Sequence, residues 1–195
     1  VLIESGVASD SIQSLTSDAA IDVSFHAPTT LLTINGAATK ANTITITSVD
    51  LLFDAALTIN GGSAIDTMAL NGMRALYAKA VIVNGAAGDD ALTVDFDTLE
   101  TTLASIAYNG DAGTDSLVVD GTATFTDMVH NATAADAGNI VLTTGPTITY
   151  TTLESYADTV SGVANKSFNA FDMAQTLVLI ESGVASDSIQ SLTSD

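Results

Sequence analysis

The chain has 195 residues, no cysteine, 23 acidic against 4 basic side chains, and a net charge of -19. Disulfides and thiol chemistry are therefore excluded. With Lys40, Arg74, Lys79 and Lys166 as the only cations, no basic patch exists to neutralise nucleic-acid phosphates or to grip an anionic membrane. The hydrophobic share is 47%, yet no apolar run reaches the about 18 residues that would insert across a bilayer.

The chain opens on Val1 to Asp18, VLIESGVASDSIQSLTSD, followed by the alternating Ile21, Val23 and Phe25. Asn-Gly pairs then fall at Asn35-Gly36, Asn60-Gly61, Asn84-Gly85 and Asn109-Gly110, a near-constant step along the chain. Upstream of them stand Leu32 and Ile34, Leu57 and Ile59, Val81 and Val83, Ile106 and Tyr108; downstream stand Ile44 and Ile46, Met68 and Leu70, Leu92 and Val94, Leu117 and Val119. Each pair is split by one residue, the period-two signature of a strand. A third strand per unit is expected around Leu52, Tyr77, Leu99 and Phe125. Further along, Phe125 to Asn139 and Ser155 to Ala174 read as inserts, the second with room for a short helix. Val141 and the TITY run at 147–150 return to alternation, and TTLES at 151–155 echoes DTLET at 97–101. Pro28 and Pro146 suit strand edges or turns. Val178 to Asp195 then repeats Val1 to Asp18 without a change.

Strand and turn recurring at this step predict an all-β chain, a parallel β-helix (β-solenoid) with coils of about 24 residues or longer. The apolar columns would face inward, one rung above the next. Gly would take positive φ at the corner, and Asn35, Asn60, Asn84 and Asn109 would hydrogen-bond in a ladder. Hairpin turns of an antiparallel sheet are the competing reading of Asn-Gly, but hairpins do not demand one fixed column spacing over four units. Coil starts near Leu32, Leu57, Val81, Ile106, Ile140 and Leu177 give six coils, and about 29 Å of axial advance at roughly 4.8 Å per rung. Residues 1–177 then form one complete repeat unit, and 178–195 the start of the next. The chain begins on Val and carries no visible signal peptide, so it reads as a fragment.

Three stretches point to cation chemistry: GGSAIDTMA at 61–69, GAAGDDALT at 85–93 and GDAGTDSLV at 110–118. Each resembles the GGxGxDxUx nonapeptide of RTX-type calcium-binding β-rolls, with a glycine replaced and one copy per coil instead of a tandem run. That resemblance implies Ca2+ bound by Asp66, Asp90 and Asp115. Asp89 and Asp111 lie nearby, and Ala41 stands at the Asp position of the preceding unit. Stacked carboxylates one rung apart repel unless a cation or hydrogen-bond donors intervene. The other reading of these aspartates is Asx-turn capping of loop amides. More widely, AYNGDAGTDSLVVDGT and TITYTTLESYA are similar to repeats of very large secreted bacterial surface proteins thought to form β-helices, which implies an extracellular or cell-surface setting.

Other constellations are thinner. His26 and His130 stand far apart in the chain, without ligand spacing. The Asp89-Asp90 pair suggests glycoside hydrolysis, but the chain has no Trp, one Arg and no nucleophile–base pair. Asn131 and Asn165 match the glycosylation sequon. Thr-rich ANTITITS raises ice binding, against which Thr43, Thr67, Ala91 and Ser116 form no uniform array. The expectation is a non-catalytic structural repeat of an extracellular fibre or giant cell-surface protein. Its partners would be copies of itself end to end, plus divalent cations that screen the acidic surface. A calcium-dependent adhesin is the alternative and a β-helical polysaccharide-active enzyme a distant third.

Overall fold

The computed structural model describes residues 1–4, 12–15, 22–71, 79–97, 105–122, 125–171, 177–181 and 190–194. The chain is all-β, with 59% strand and no helix among the described residues. In order the strands are β1 (Leu2–Glu4), β2 (Ile12–Leu15), β3 (Val23–His26), β4 (Leu31–Asn35), β5 (Thr43–Ile46), β6 (Ala56–Gly62), β7 (Thr67–Leu70), β8 (Ala80–Ala87) and β9 (Ala91–Asp95). There follow β10 (Ser105–Ala112), β11 (Ser116–Asp120), β12 (Asp127–Ala132), β13 (Gly138–Leu142), β14 (Thr147–Thr151), β15 (Ser155–Asp158), β16 (Asn165–Asn169), β17 (Leu177–Glu181) and β18 (Gln190–Ser194).

Two eight-stranded, mostly parallel sheets result. One runs β15-β11-β9-β7-β5-β1-β2-β3, the other β16-β12-β13-β14-β10-β8-β6-β4, and β17-β18 pair separately. Between β4 and β11 the chain alternates strictly between the sheets. The registers follow the Asn-Gly spacing: Asn35 pairs with Asn60, Asn60 with Asn84 and Asn84 with Asn109, all parallel. The downstream columns match in the same way, Ile44 with Met68, Met68 with Leu92 and Leu92 with Leu117. One side of every strand is apolar because the sequence alternates, so one core takes Leu57, Ile59, Val81, Val83 and Ile106 from one sheet and Met68, Leu70, Leu92 and Leu117 from the other, all fully buried. Branched side chains dominate these columns, as the pleated, half-buried surface favours.

The structure departs from the sequence expectation in four places. Among the described residues, two strands per turn of chain are seen, one in each sheet, and the third expected around Leu52 is absent. Leu52 lies in an exposed turn, and Phe125 is buried outside any strand, packed edge-on against Phe96 at 5.3 Å between ring centres. Tyr77 and Leu99 lie outside the described residues. Phe96 and Phe125 plug the core from the connections, which gives this stretch an apolar periodicity without a ladder. Second, the parallel rung after β10 begins at Thr147, not at Ile140. Ser105 pairs with Thr147, while Ile140 sits in the antiparallel meander β12-β13-β14. Third, the stretch from Ser155 holds β15 and β16 where a short helix was expected. Fourth, each sheet holds eight strands where six rungs are expected, which sets its outermost strands about 34 Å apart at the ordinary strand spacing.

The identical ends form the same hairpin, although β1-β2 is flanked by β5 and β3 in its sheet and β17-β18 forms a separate sheet. Leu2 faces Leu15, Ile3 faces Ser14 and Glu4 faces Gln13; in the second copy Leu179 faces Leu192, Ile180 faces Ser191 and Glu181 faces Gln190, both antiparallel.

Candidate functional site

The aspartates singled out by sequence divide into two groups. Asp66, Asp90 and Asp115 are buried, at 0%, 1% and 0% exposure, just before β7, β9 and β11. Asp89 is an exposed loop residue and Asp111 an exposed residue near the end of β10. The buried three form an internal column in which each carboxylate accepts the backbone N–H of its counterpart one rung earlier. Asp66 N–H donates to Asp90 Oδ1 at 2.7 Å, and Asp90 N–H to Asp115 Oδ1 at 2.8 Å. The column continues at both ends with residues that sequence reading missed. Asn42 N–H donates to Asp66 Oδ1 at 2.6 Å, and Asp115 N–H donates to Glu154 Oε2 at 2.7 Å. Asn42, not Ala41, therefore occupies the first place. The loop after Gly36 is one residue longer than those after Gly61, Gly85 and Gly110, which hid the match. Glu154 was visible only as part of the TTLES echo.

Opposite this column runs the glycine column, and the contact between them explains the Asn-Gly motif. A Cβ on Gly61 would lie 2.5 Å from Asp66 Oδ2, one on Gly85 2.6 Å from Asp90 Oδ2, and one on Gly110 2.5 Å from Asp115 Oδ2. The expected positive φ falls elsewhere, at Ala86, Gly88, Asp111 and Gly113. Gly61, Gly85 and Gly110 lie inside extended strands and are glycines for want of space. Asp66 also caps its own loop, accepting Gly62 N–H at 2.6 Å. The asparagine ladder forms as expected, with Asn60 Nδ2 donating to Asn35 Oδ1, Asn84 to Asn60 and Asn109 to Asn84, each at 2.7 Å.

The electrostatics of the column are those of acids out of water. Burial pushes the Asp90 carboxyl up, opposed by the Asp66 N–H and reinforced by the charges of Asp66, Asp115 and Asp89. Burial likewise raises Asp115, opposed by the Asp90 N–H and reinforced by Glu154, Asp89 and Asp111. Tyr108 points into the same region; burial, then Asp115, Asp90 and Glu154, hold its phenol well above the ordinary value. Three buried atoms here have no protein hydrogen-bond partner: Asp90 Oδ2, Asp115 Oδ2 and Tyr108 Oη. Among the described residues no three His, Cys, Asp or Glu side chains converge in a set suited to a metal ion. For calcium, which takes about six to eight oxygens, the column offers the two unpartnered Oδ2 atoms and loop carbonyls. Every Oδ1 is already engaged by an amide.

The remaining candidates have structural surroundings. Asp89 Oδ1 accepts Thr114 N–H at 2.9 Å, and the Asp111 N–H donates to Thr152 Oγ1 at 2.7 Å. His130 is hydrogen-bonded to Tyr150 Oη and packed against Tyr156 and Phe168, and burial lowers its pKa. The sequon asparagines sit in strands: Asn131 Nδ2 donates to Asn139 Oδ1 and Asn165 Nδ2 to Asp127 Oδ1, each at 2.9 Å. No family model matches this chain, and comparison with curated proteins and with solved structures returns no match.

Proposed function

We propose that the chain is a structural repeat, a β-solenoid unit of an extracellular fibre or giant cell-surface protein that assembles by continuous stacking of coils. The observation that carries this reading is the identity of residues 1–18 and 178–195, paired in one antiparallel register. A unit whose end is chemically its own beginning meets the same neighbours in every copy. The interior supports it: parallel registers that keep step with the Asn-Gly pairs, and two side-chain ladders running along the stack. The load would be carried by backbone bonds along the axis, with the acidic surface keeping neighbouring fibres apart. Fibre diffraction on concentrated, aligned material tests this. An axial reflection near about 4.8 Å is expected, and its absence at every concentration would refute stacking.

A second reading places Ca2+ at the column, making the protein a calcium-dependent adhesin whose loops bind a ligand. The unpartnered Oδ2 atoms of Asp90 and Asp115 favour it. Saturation at about a hundred times the dissociation constant would add roughly 2.7 kcal/mol. A melting curve identical in calcium and in chelator would leave the amide donors as the column's only partners.

A further inference from the structure

The two sheets are out of step by three strands at each end. Five crossings, β4 to β5, β6 to β7, β8 to β9, β10 to β11 and β14 to β15, link successive strands across the sheets. Beyond β5 the first sheet continues alone with β1, β2 and β3; beyond β14 the second continues alone with β13, β12 and β16. Each overhang leaves apolar groups of the core side open. Val23 is 49% exposed on one step, and Phe168 is 43% exposed on the other. The steps are equal in strand number and opposite in sheet, so the overhang of one copy could fill the step of another.

Strand direction agrees at both joins. Tracing the pairings through the first sheet makes β3 parallel to β15. Tracing the second makes β16 parallel to β4. Copies placed end to end therefore continue the parallel pairing on both faces.

The register is set by the asparagine ladder. In β4 to β10 each amide Nδ2 donates to the asparagine one strand nearer β4, ending on Asn35 Oδ1. A second ladder runs in from the other edge, where Asn169 Nδ2 donates to Asn131 Oδ1 at 2.6 Å. The edge strands share a pattern: LLTIN at 31–35 and NKSFN at 165–169 both end on Asn, with Ile34 or Phe168 inside and Thr33 or Ser167 outside. Level with Asn169, Asn35 would present Nδ2 to Asn169 Oδ1, the donor direction of its own ladder. Lys166 is no obstacle. Its Nζ is held 2.8 Å from Asp158 Oδ1 and donates to the Val160 carbonyl, so covering it buries no unpaired charge.

We propose that a second copy of this chain docks its β4 edge on the β16 edge, parallel, with Asn35 level with Asn169, each three-strand step filling the other. This rests on the stacked-repeat reading and gives that stack its joint. The hairpin β17-β18 pairs with neither eight-stranded sheet and β16 is the open edge of the second, so this edge is the one to probe.

Because the chain lacks cysteine, one Thr33→Cys variant mixed with one Ser167→Cys variant reports the joint alone. Thr33 and Ser167 lie on opposite edge strands, so a bond between those positions joins different copies. On mild oxidation the matched mixture should become a covalent heterodimer of doubled mass. A Leu31→Cys and Ser167→Cys mixture places the sulfur-bearing residues about 8 Å apart at the Cα atoms, past the roughly 7 Å limit for a disulfide, and should stay monomeric. No matched dimer, or equal linking of both mixtures, overturns the proposal. A second variant, Asn35→Asp, keeps the acceptor for Asn60 but removes the donor for Asn169. It should lose the self-association seen by sedimentation while melting as the parent does. Unchanged association, or a parent chain that stays monomeric at high concentration, overturns the joint. If the joint fails while the axial reflection near about 4.8 Å persists, stacking stands with a different contact; if both fail, both readings fall.

Discussion

Asp90 separates the acceptor role of the column from its charge. Replacing it with Ala removes Oδ1 and leaves the buried Asp66 N–H without its partner, a loss of about 1–3 kcal/mol. Part of this is offset, because burial already raises the Asp90 pKa and the charge itself is unfavourable there. A net loss of about 1–2 kcal/mol corresponds to a fall of roughly 2–8 °C in melting temperature for a chain this size. Asp90→Asn keeps an Oδ1 acceptor and discards the charge. The column already accepts such a residue in Asn42, whose Nδ2 would sit 2.7 Å from a Cβ on Gly36, much as Asp90 sits against Gly85. Asn42 Nδ2 finds the carbonyls of Ala37 and Lys40. Asp90→Asn should therefore melt at or above the parent at neutral pH, with Asp90→Ala clearly below it. Thermal unfolding followed by circular dichroism decides. If Asn is as damaging as Ala, the carboxylate acts through its charge, and the acceptor argument is refuted.

Asp90 and Asp115 have pKa values above the ordinary 3.8, so the folded state binds their protons more tightly than the unfolded chain does. Their contribution is full below 3.8 and is lost as pH rises through the folded values, so stability should climb on acidification from neutral pH, and less so in Asp90→Asn. Asp120, lowered by the Thr159 hydroxyl and the Gly121 N–H, acts in the opposite sense but is exposed and screened. Gly110→Ala should cost about 1–3 kcal/mol in denaturant titration, since its Cβ meets Asp115 Oδ2 and the Thr152 carbonyl. Leu92→Asp puts a charge at a fully buried position between Met68 and Leu117 and should abolish cooperative melting.

What the sequence revealed was whatever repeats at fixed spacing. The parallel registers, the inward columns and the asparagine ladder follow from the even steps between Asn35, Asn60, Asn84 and Asn109. What it concealed had broken spacing. Asn42 is displaced by one loop residue, and Glu154 belongs to the column only because the meander β12-β13-β14 returns the chain to β10 at Thr147. Ile140 alternates like a parallel strand because alternation carries no direction; pairing partners alone distinguish the meander. Glycine after Asn indicates a turn in sequence, whereas a neighbouring carboxylate is the constraint in the fold, a distinction that spacing along the chain cannot make. The buried position of Asp66, Asp90 and Asp115 was equally hidden, because a loop aspartate that turns inward has the same neighbours in sequence as one that faces water.

The direction of the aspartate column has a consequence for how the protein is made. The amide of Asp66 is satisfied by Asp90, that of Asp90 by Asp115, and that of Asp115 by Glu154. Each of these aspartates thus depends for the partner of its buried amide on a residue synthesised after it. A nascent chain halted at Asp89 would hold a folded rung with one amide still wanting. A chain that folded from its N-terminus during synthesis would therefore leave the amide of each such turn open until the next acidic residue had been made.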